Sequence, residues 1–231
     1  MGYLVLALVA GLAAVERKGF LQAMLSRPIA LAPAAGWALG DPAGGVVVAP
    51  PLELLWLGSV NLGAALPVHE ALGTAAIAGG AVLAGRALGT GVTPEVAVLA
   101  VLICAPLALL GRKSDRLVEI WNERLSNRAV AALAAERPRV VDVNLLGLAA
   151  PFAIAAVLAP AGAAAAAVLI PRLLRALPSA DAPLRIGWLA FAAIACASGA
   201  RALRAREASL TFFAALACAA AAGLLLGRVP R

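Results

Sequence analysis

Eight charge-free runs of this chain mark candidate spans: Gly2–Val15, Pro28–Gly40, Pro42–Leu52, Ala71–Gly85, Val96–Gly111, Val143–Pro171, Ile186–Ala200 and Ala208–Gly227. No feature constrains the fold more. Of the 231 residues 63% are hydrophobic and 13% charged, against about 45–50% and about 25% in soluble domains. A water-soluble domain of this size has too little interior to hide that much apolar surface, so lipid is the solvent for much of it. The chain reads as all-α and polytopic, because a bilayer admits only helices and closed barrels. A full crossing takes about 20 residues. Several runs are shorter and interrupted by Pro and Gly, the pattern of re-entrant or broken helices. Roughly six to nine spans fit at that length.

The 19 Lys and Arg against 12 Asp and Glu give a net charge of +7. Nucleic-acid binding is excluded as a reading, since no basic stripe is interleaved with stacking aromatics. The positive charge instead gathers between apolar runs. Arg112–Val141 holds seven Lys or Arg, and Leu117, Ile120, Trp121, Leu125 and Leu133 recur there at helical spacing. This predicts an amphipathic helix. With Arg201–Glu207 it is assigned to the cytoplasm by the positive-inside rule, although Arg172–Arg185, with three arginines, then falls outside. The organisation expected is a single membrane domain: a first membrane half over 1–111, a cytoplasmic connector over 112–141 and a second membrane half over 142–231.

Cys104, Cys196 and Cys218 lie far apart in apolar runs, so they read as packing residues rather than a metal or redox set. Met1–Val15 lacks a basic n-region and reads as a membrane segment rather than a cleaved signal. With one histidine and no HExxH, no metal or other cofactor is expected.

Ionisable groups within apolar runs are the informative residues, because placing one at membrane depth is costly unless it meets protein or water. Pro50–Glu70, PPLELLWLGSVNLGAALPVHE, is the richest stretch. Glu53 and Trp56 stand at i, i+3, on one helical face. A carboxylate accepts hydrogen bonds from sugar hydroxyls, an indole stacks on the apolar face of a pyranose, and Asn61 both donates and accepts. Gly58 and Gly63 allow unwound backbone around Asn61. A purely structural alternative for Glu53 is pairing with a basic residue of a neighbouring helix. His69 and Glu70 close the segment, and His69 reads as a polar contributor to the site or its gate. Around Glu16–Pro28, Gln22 is a further candidate for lining the site, while Arg27 reads equally as snorkelling to solvent. Asp41, before Pro42, reads as a helix cap.

The run Glu16–Glu70 resembles the IIC subunits of the mannose/fructose/sorbose family of bacterial phosphotransferase systems. The matching pieces are ERKGFLQAMLSRPIALAPAAGWALGDPAGG, LELLWLG and NLGAALP, against the family's His/Ser-Arg-Pro turn, Leu-Gly-Asp turn, Leu-Glu-Leu/Met motif and Gly-Ala-Ala before a Pro-Asp-type site. In one departure, Pro67-Val68-His69 places His69 where relatives carry the aspartate, with Glu70 adjacent.

The resemblance implies a sugar-translocating subunit in the bacterial cytoplasmic membrane. It would work with a IID membrane subunit and with soluble IIA and IIB domains that carry the phosphate, and it carries none itself. The sugar-site assignment falls on Glu53, Asn61 and Trp56, with a mannose-type hexose as substrate. The His69 departure keeps a second reading open, that of a non-transporting regulatory or relic membrane component.

Overall fold

The structure is a computed structural model. It describes residues 1–58, 68–134 and 140–203 and, beyond these, positions 210, 213–214 and 217. Asn61, Cys218 and most of the Arg201–Glu207 loop and of the last apolar run lie outside the described residues. Among the described residues seven helices are delimited: α1 (Gly2–Lys18), α2 (Pro28–Ala38), α3 (Pro42–Trp56), α4 (Glu70–Leu88), α5 (Pro94–Ala134), α6 (Val140–Ala176) and α7 (Asp181–Leu203). Each of the first seven charge-free runs falls almost wholly within one of them. No strand occurs among the described residues.

Among the described residues four helices are long and apolar enough to cross a membrane: α4, α5, α6 from Leu145, and α7 to Ala202. The 11 and 15 residues of α2 and α3 rise only about 16 and 22 Å at 1.5 Å per residue, short of a hydrocarbon core about 30 Å thick. Proline opens both helices and interrupts both, at Pro33 and at Pro50–Pro51. A turn at Leu39–Asp41 joins them, and the Asp41 carboxylate accepts from the Gly44 N–H at 2.8 Å, the cap expected there. The two helices meet backbone to backbone. A Cβ on Gly45 would sit 2.2 Å from the Ala32 carbonyl oxygen, so only glycine permits the approach. The turn lies beside Arg86 near the end of α4, and the open ends of the hairpin meet at the start of α4.

α4 is the axis of the bundle, in contact with α1, α2, α3, α5 and α6. In its most apolar stretch 78% of the residues are buried, against 11% for α7 on the periphery. Eleven of its nineteen residues are alanine or glycine. Small side chains let neighbouring backbones close in, which is how helices gain packing where lipid removes the hydrophobic drive between them. The Gly85–Gly89 spacing plays no part in this packing, since Gly89 ends the helix in the left-handed region at φ 71°.

As far as Ala134 the amphipathic segment is helical as expected, but it is not a separate element. α5 runs unbroken for 41 residues, about 62 Å, twice the hydrocarbon thickness. Of the five apolar residues that marked its expected face, Leu125 is buried in the chain and Leu117, Ile120, Trp121 and Leu133 are exposed. Among the described residues two carboxylates of α5 are ion-paired: Glu95 with Arg185 of α7, and Asp115 with both Arg17 and Lys18 of α1. Glu95 and Asp115 stand twenty residues apart, or about 30 Å, the thickness of the apolar slab.

Candidate functional site

At the Asp115 end of the bundle, charged side chains from four helices and from the residue before α2 gather. The residue before α2 is Arg27, with extended backbone at φ −68° and ψ 143°, which the following proline favours. Its guanidinium reaches Glu53 on α3. Nε donates to Oε1 at 2.9 Å, and a second donor of the same group reaches the same oxygen. The other oxygen of Glu53 accepts from the Ile29 N–H at 3.1 Å, an otherwise unpaired amide in the first turn of α2. Glu53 thus clamps the start of α2 to the end of α3, and the pairing with a basic neighbour weighed from sequence is present.

Arg27 also faces Glu70, the first residue of α4. Its Nη1 lies 3.7 Å from Glu70 Oε1, beyond hydrogen-bond reach. Glu70 is 6% exposed, and its Oε2 has no hydrogen-bond partner among the described residues. One turn along α4 the fully buried Thr74 hydroxyl is likewise unpartnered. Two unsatisfied polar atoms at i, i+4 on one buried face are uncommon in folded chains, and they lie in the first two turns of α4.

His69 caps α4. Its Nδ1 accepts from the Leu72 N–H at 3.2 Å, which leaves the proton of a neutral ring on Nε2. Its own N–H donates to the Ala108 carbonyl of α5 at 3.1 Å. The side chain is 2% exposed and lies against Gly111, where a Cβ would come within 2.5 Å. An aspartate is a standard cap in this place, so the histidine keeps the local structure that the family's residue would supply.

Trp56 is buried, its ring edge on Gly73 of α4. It forms the wall behind Glu53 and presents no open face. Gln22 lies on the exposed loop after α1, where Leu21, Gln22 and Met24 all take positive φ, a strained state for residues with a Cβ. The structure therefore brings Glu53 and Glu70 together, with Trp56 and His69 packed beside them, while Gln22 makes no contact with either carboxylate among the described residues. Arg27, which joins the two carboxylates, is the residue that sequence reasoning left as a snorkelling alternative. Its signal was present in the Ser-Arg-Pro turn. Deeper in the same layer, Arg17 donates to Asp115 Oδ2 at 2.9 Å and to the Val68 carbonyl at 3.4 Å. Glu16 accepts from the Ser26 N–H at 2.9 Å. Among the described residues no cluster could hold a metal ion.

Comparison with known proteins bears on this geometry. The family model described as the sorbose-specific IIC component of the phosphotransferase system matches residues 1–182. A protein of Escherichia coli (strain K12), provisionally named N-acetylgalactosamine permease IIC component 2, is 40% identical over 74 residues, 32% of this chain and 51% of that one. The match thus spans about half the length of that relative. A solved membrane-protein structure superposes with a TM-score of 0.66 at 20% identity, over 99% of this chain and 92% of the other. A chain from the complex of the mannose transporter ManYZ with microcin E492 gives 0.52 at 20% identity, over 95% and 86%. These two likenesses establish the multi-pass helical fold. Because the family model covers most of the sequence, the chain belongs to the sorbose-specific IIC component family of the phosphotransferase system, a family of membrane sugar permeases.

Proposed function

We propose that this chain is the sugar-translocating IIC subunit of a phosphoenolpyruvate-dependent phosphotransferase system in the bacterial cytoplasmic membrane. It binds the sugar at the junction of α3, α4 and the segment carrying Asn61, and passes it to a phosphorylated IIB partner. The observation that carries this reading is the pair of largely buried carboxylates, Glu53 and Glu70, facing one guanidinium at an interruption between two helices. Buried acceptors at a helix break are what a polyol needs. A carboxylate offers about four lone-pair sites, and Glu53 uses three, so it retains acceptor capacity for a hydroxyl. Trp56 backs the site, Asn61 adds an amide, and His69 and Gln22 border it.

The junction lies at the Asp115 end of α5, level with the start of the basic, projecting part of that helix. With that part in the cytoplasm, the site sits on the side where a soluble phosphocarrier works. The substrate is a hexose or hexose derivative. Mannose, sorbose and N-acetylgalactosamine, from the names of the relatives, form the panel to try, and a IID subunit is the expected membrane partner.

Glu53→Gln should lower uptake of the transported sugar about 10- to 100-fold, as the loss of a charge-assisted hydrogen bond does, with membrane insertion checked separately. Unchanged uptake in an inserted variant would refute the assignment. No binding of any sugar by the purified IIC–IID pair would favour the non-transporting component instead.

A further inference from the structure

Two carboxylates on different helices share one guanidinium, and they share it unequally. Arg27 gives Glu53 Oε1 two donors, one of them Nε at 2.9 Å, while Glu70 Oε1 lies 3.7 Å from Nη1 and Glu70 Oε2 has no hydrogen-bond partner among the described residues. Among the described residues Arg27 is the one cation paired with either carboxylate. Arg17 and Lys18 are committed to Asp115, at 2.9 and 3.2 Å. A guanidinium carries five donors in a rigid fork. A shift of about 1 Å would bring it within charge-assisted hydrogen-bond range of Glu70. Glu70 is thus a second, unfilled berth beside a filled one.

We propose that Arg27 is a positioning residue that holds Glu53 in the empty site and transfers to Glu70 when a sugar hydroxyl takes Glu53 Oε1. The proposal rests on the reading that sugar binds at Glu53. A hydroxyl can replace the hydrogen bonds of Arg27 to Glu53 but not the countercharge that Arg27 itself requires. A buried cation deprived of its partner is strongly disfavoured, so loading without a second carboxylate would work against itself. Glu70 removes that obstacle. The transfer also changes which helices are tied together. In the empty site Arg27 adds to the Ile29 bond that holds the start of α2 to α3; in the loaded site it ties that start to α4 instead, so occupancy is converted into a change in how the α2–α3 hairpin is fastened to the central helix.

The test is a double-mutant cycle on equilibrium binding of mannose, sorbose and N-acetylgalactosamine to the purified IIC–IID pair in nanodiscs, using whichever sugar binds the wild type. Glu70→Gln should weaken binding about tenfold. In an Arg27→Gln background the same substitution should have an effect below about twofold, because no guanidinium remains to be received. An unaltered affinity in Glu70→Gln overturns the proposal. So does a tenfold loss that persists in the Arg27→Gln background, which would mark Glu70 as a direct sugar contact. If Arg27→Gln does not insert, Glu70→Asp takes its place. It keeps a carboxylate within reach and should recover affinity to within about threefold of wild type, and a loss as large as that of Glu70→Gln overturns the transfer. A wild-type pair that binds none of the three sugars overturns both this proposal and the function on which it rests.

Discussion

His69 illustrates how one position can look anomalous in sequence and ordinary in structure. As the lone histidine in a permease-like stretch it invites a role in proton or phosphate chemistry, yet its Nδ1 accepts from the Leu72 N–H and its ring sits against Gly111. The position calls for a side-chain acceptor at a helix start, which histidine and aspartate both supply. His69→Ala should therefore cost about 1 kcal/mol of stability, read as a lower melting temperature of the detergent-solubilised protein, while His69→Asp should melt close to wild type. A melt of His69→Asp as low as that of His69→Ala would mean that the ring's packing, not the cap, is what matters. Glu53 and Glu70 stood out in sequence because charge is conspicuous among alanines. Their shared partner did not, because a one-dimensional reading cannot say which of several arginines near a helix start reaches which carboxylate. The same holds for Asp115, read only as one charge of a basic connector until its contacts with Arg17 and Lys18 were seen.

Among the elements, the charge-free runs located the helices well, because in lipid each helix must be apolar nearly all round. Pro28–Gly40 became α2 (Pro28–Ala38), and Ala71–Gly85 became the core of α4 (Glu70–Leu88). What hydropathy misses is continuity. The run Val96–Gly111 and the amphipathic segment after it differ in solvent, not in backbone, and they form one helix, α5. The α2–α3 hairpin rests on a different kind of information, the room left by missing side chains. Gly45→Val would place its Cβ 2.2 Å from the Ala32 carbonyl oxygen, and overpacking of this kind costs about 1–3 kcal/mol or more. Gly45→Val should thus prise the hairpin apart, lower the melting temperature and reduce sugar binding together. Gly58→Ala, whose Cβ would meet Ala202 alone among the described residues, at an ordinary 3.4 Å, should leave the melt within error. Equal melts for the two variants would show that the hairpin tolerates separation.

At the scale of the molecule, the bundle is held at both membrane faces by ion pairs on α5, and its centre is a helix built of small residues. Asp115→Asn leaves Arg17, whose side chain is 4% exposed, and Lys18 facing a neutral amide. Removing one partner from a buried pair costs about 3–5 kcal/mol, enough to loosen α1 from the bundle. A single cysteine placed at Ala14, fully buried in the intact chain, should react with a membrane-permeant maleimide in the Asp115→Asn background and stay protected otherwise. Protection in both would show that packing alone retains α1. The burial of α4 also bears on the order in which the protein is made. A helix that presents Glu70, Thr74 and Arg86 among alanine and glycine is a poor ligand for lipid, and the walls that shelter it include α5 and α6, which leave the ribosome after it. α4 must therefore wait at the translocon, or in contact with a chaperone, until synthesis has passed Ala176. Nascent chains halted near Gly91 should be extracted from membranes by alkali, and chains halted beyond Ala180 should resist.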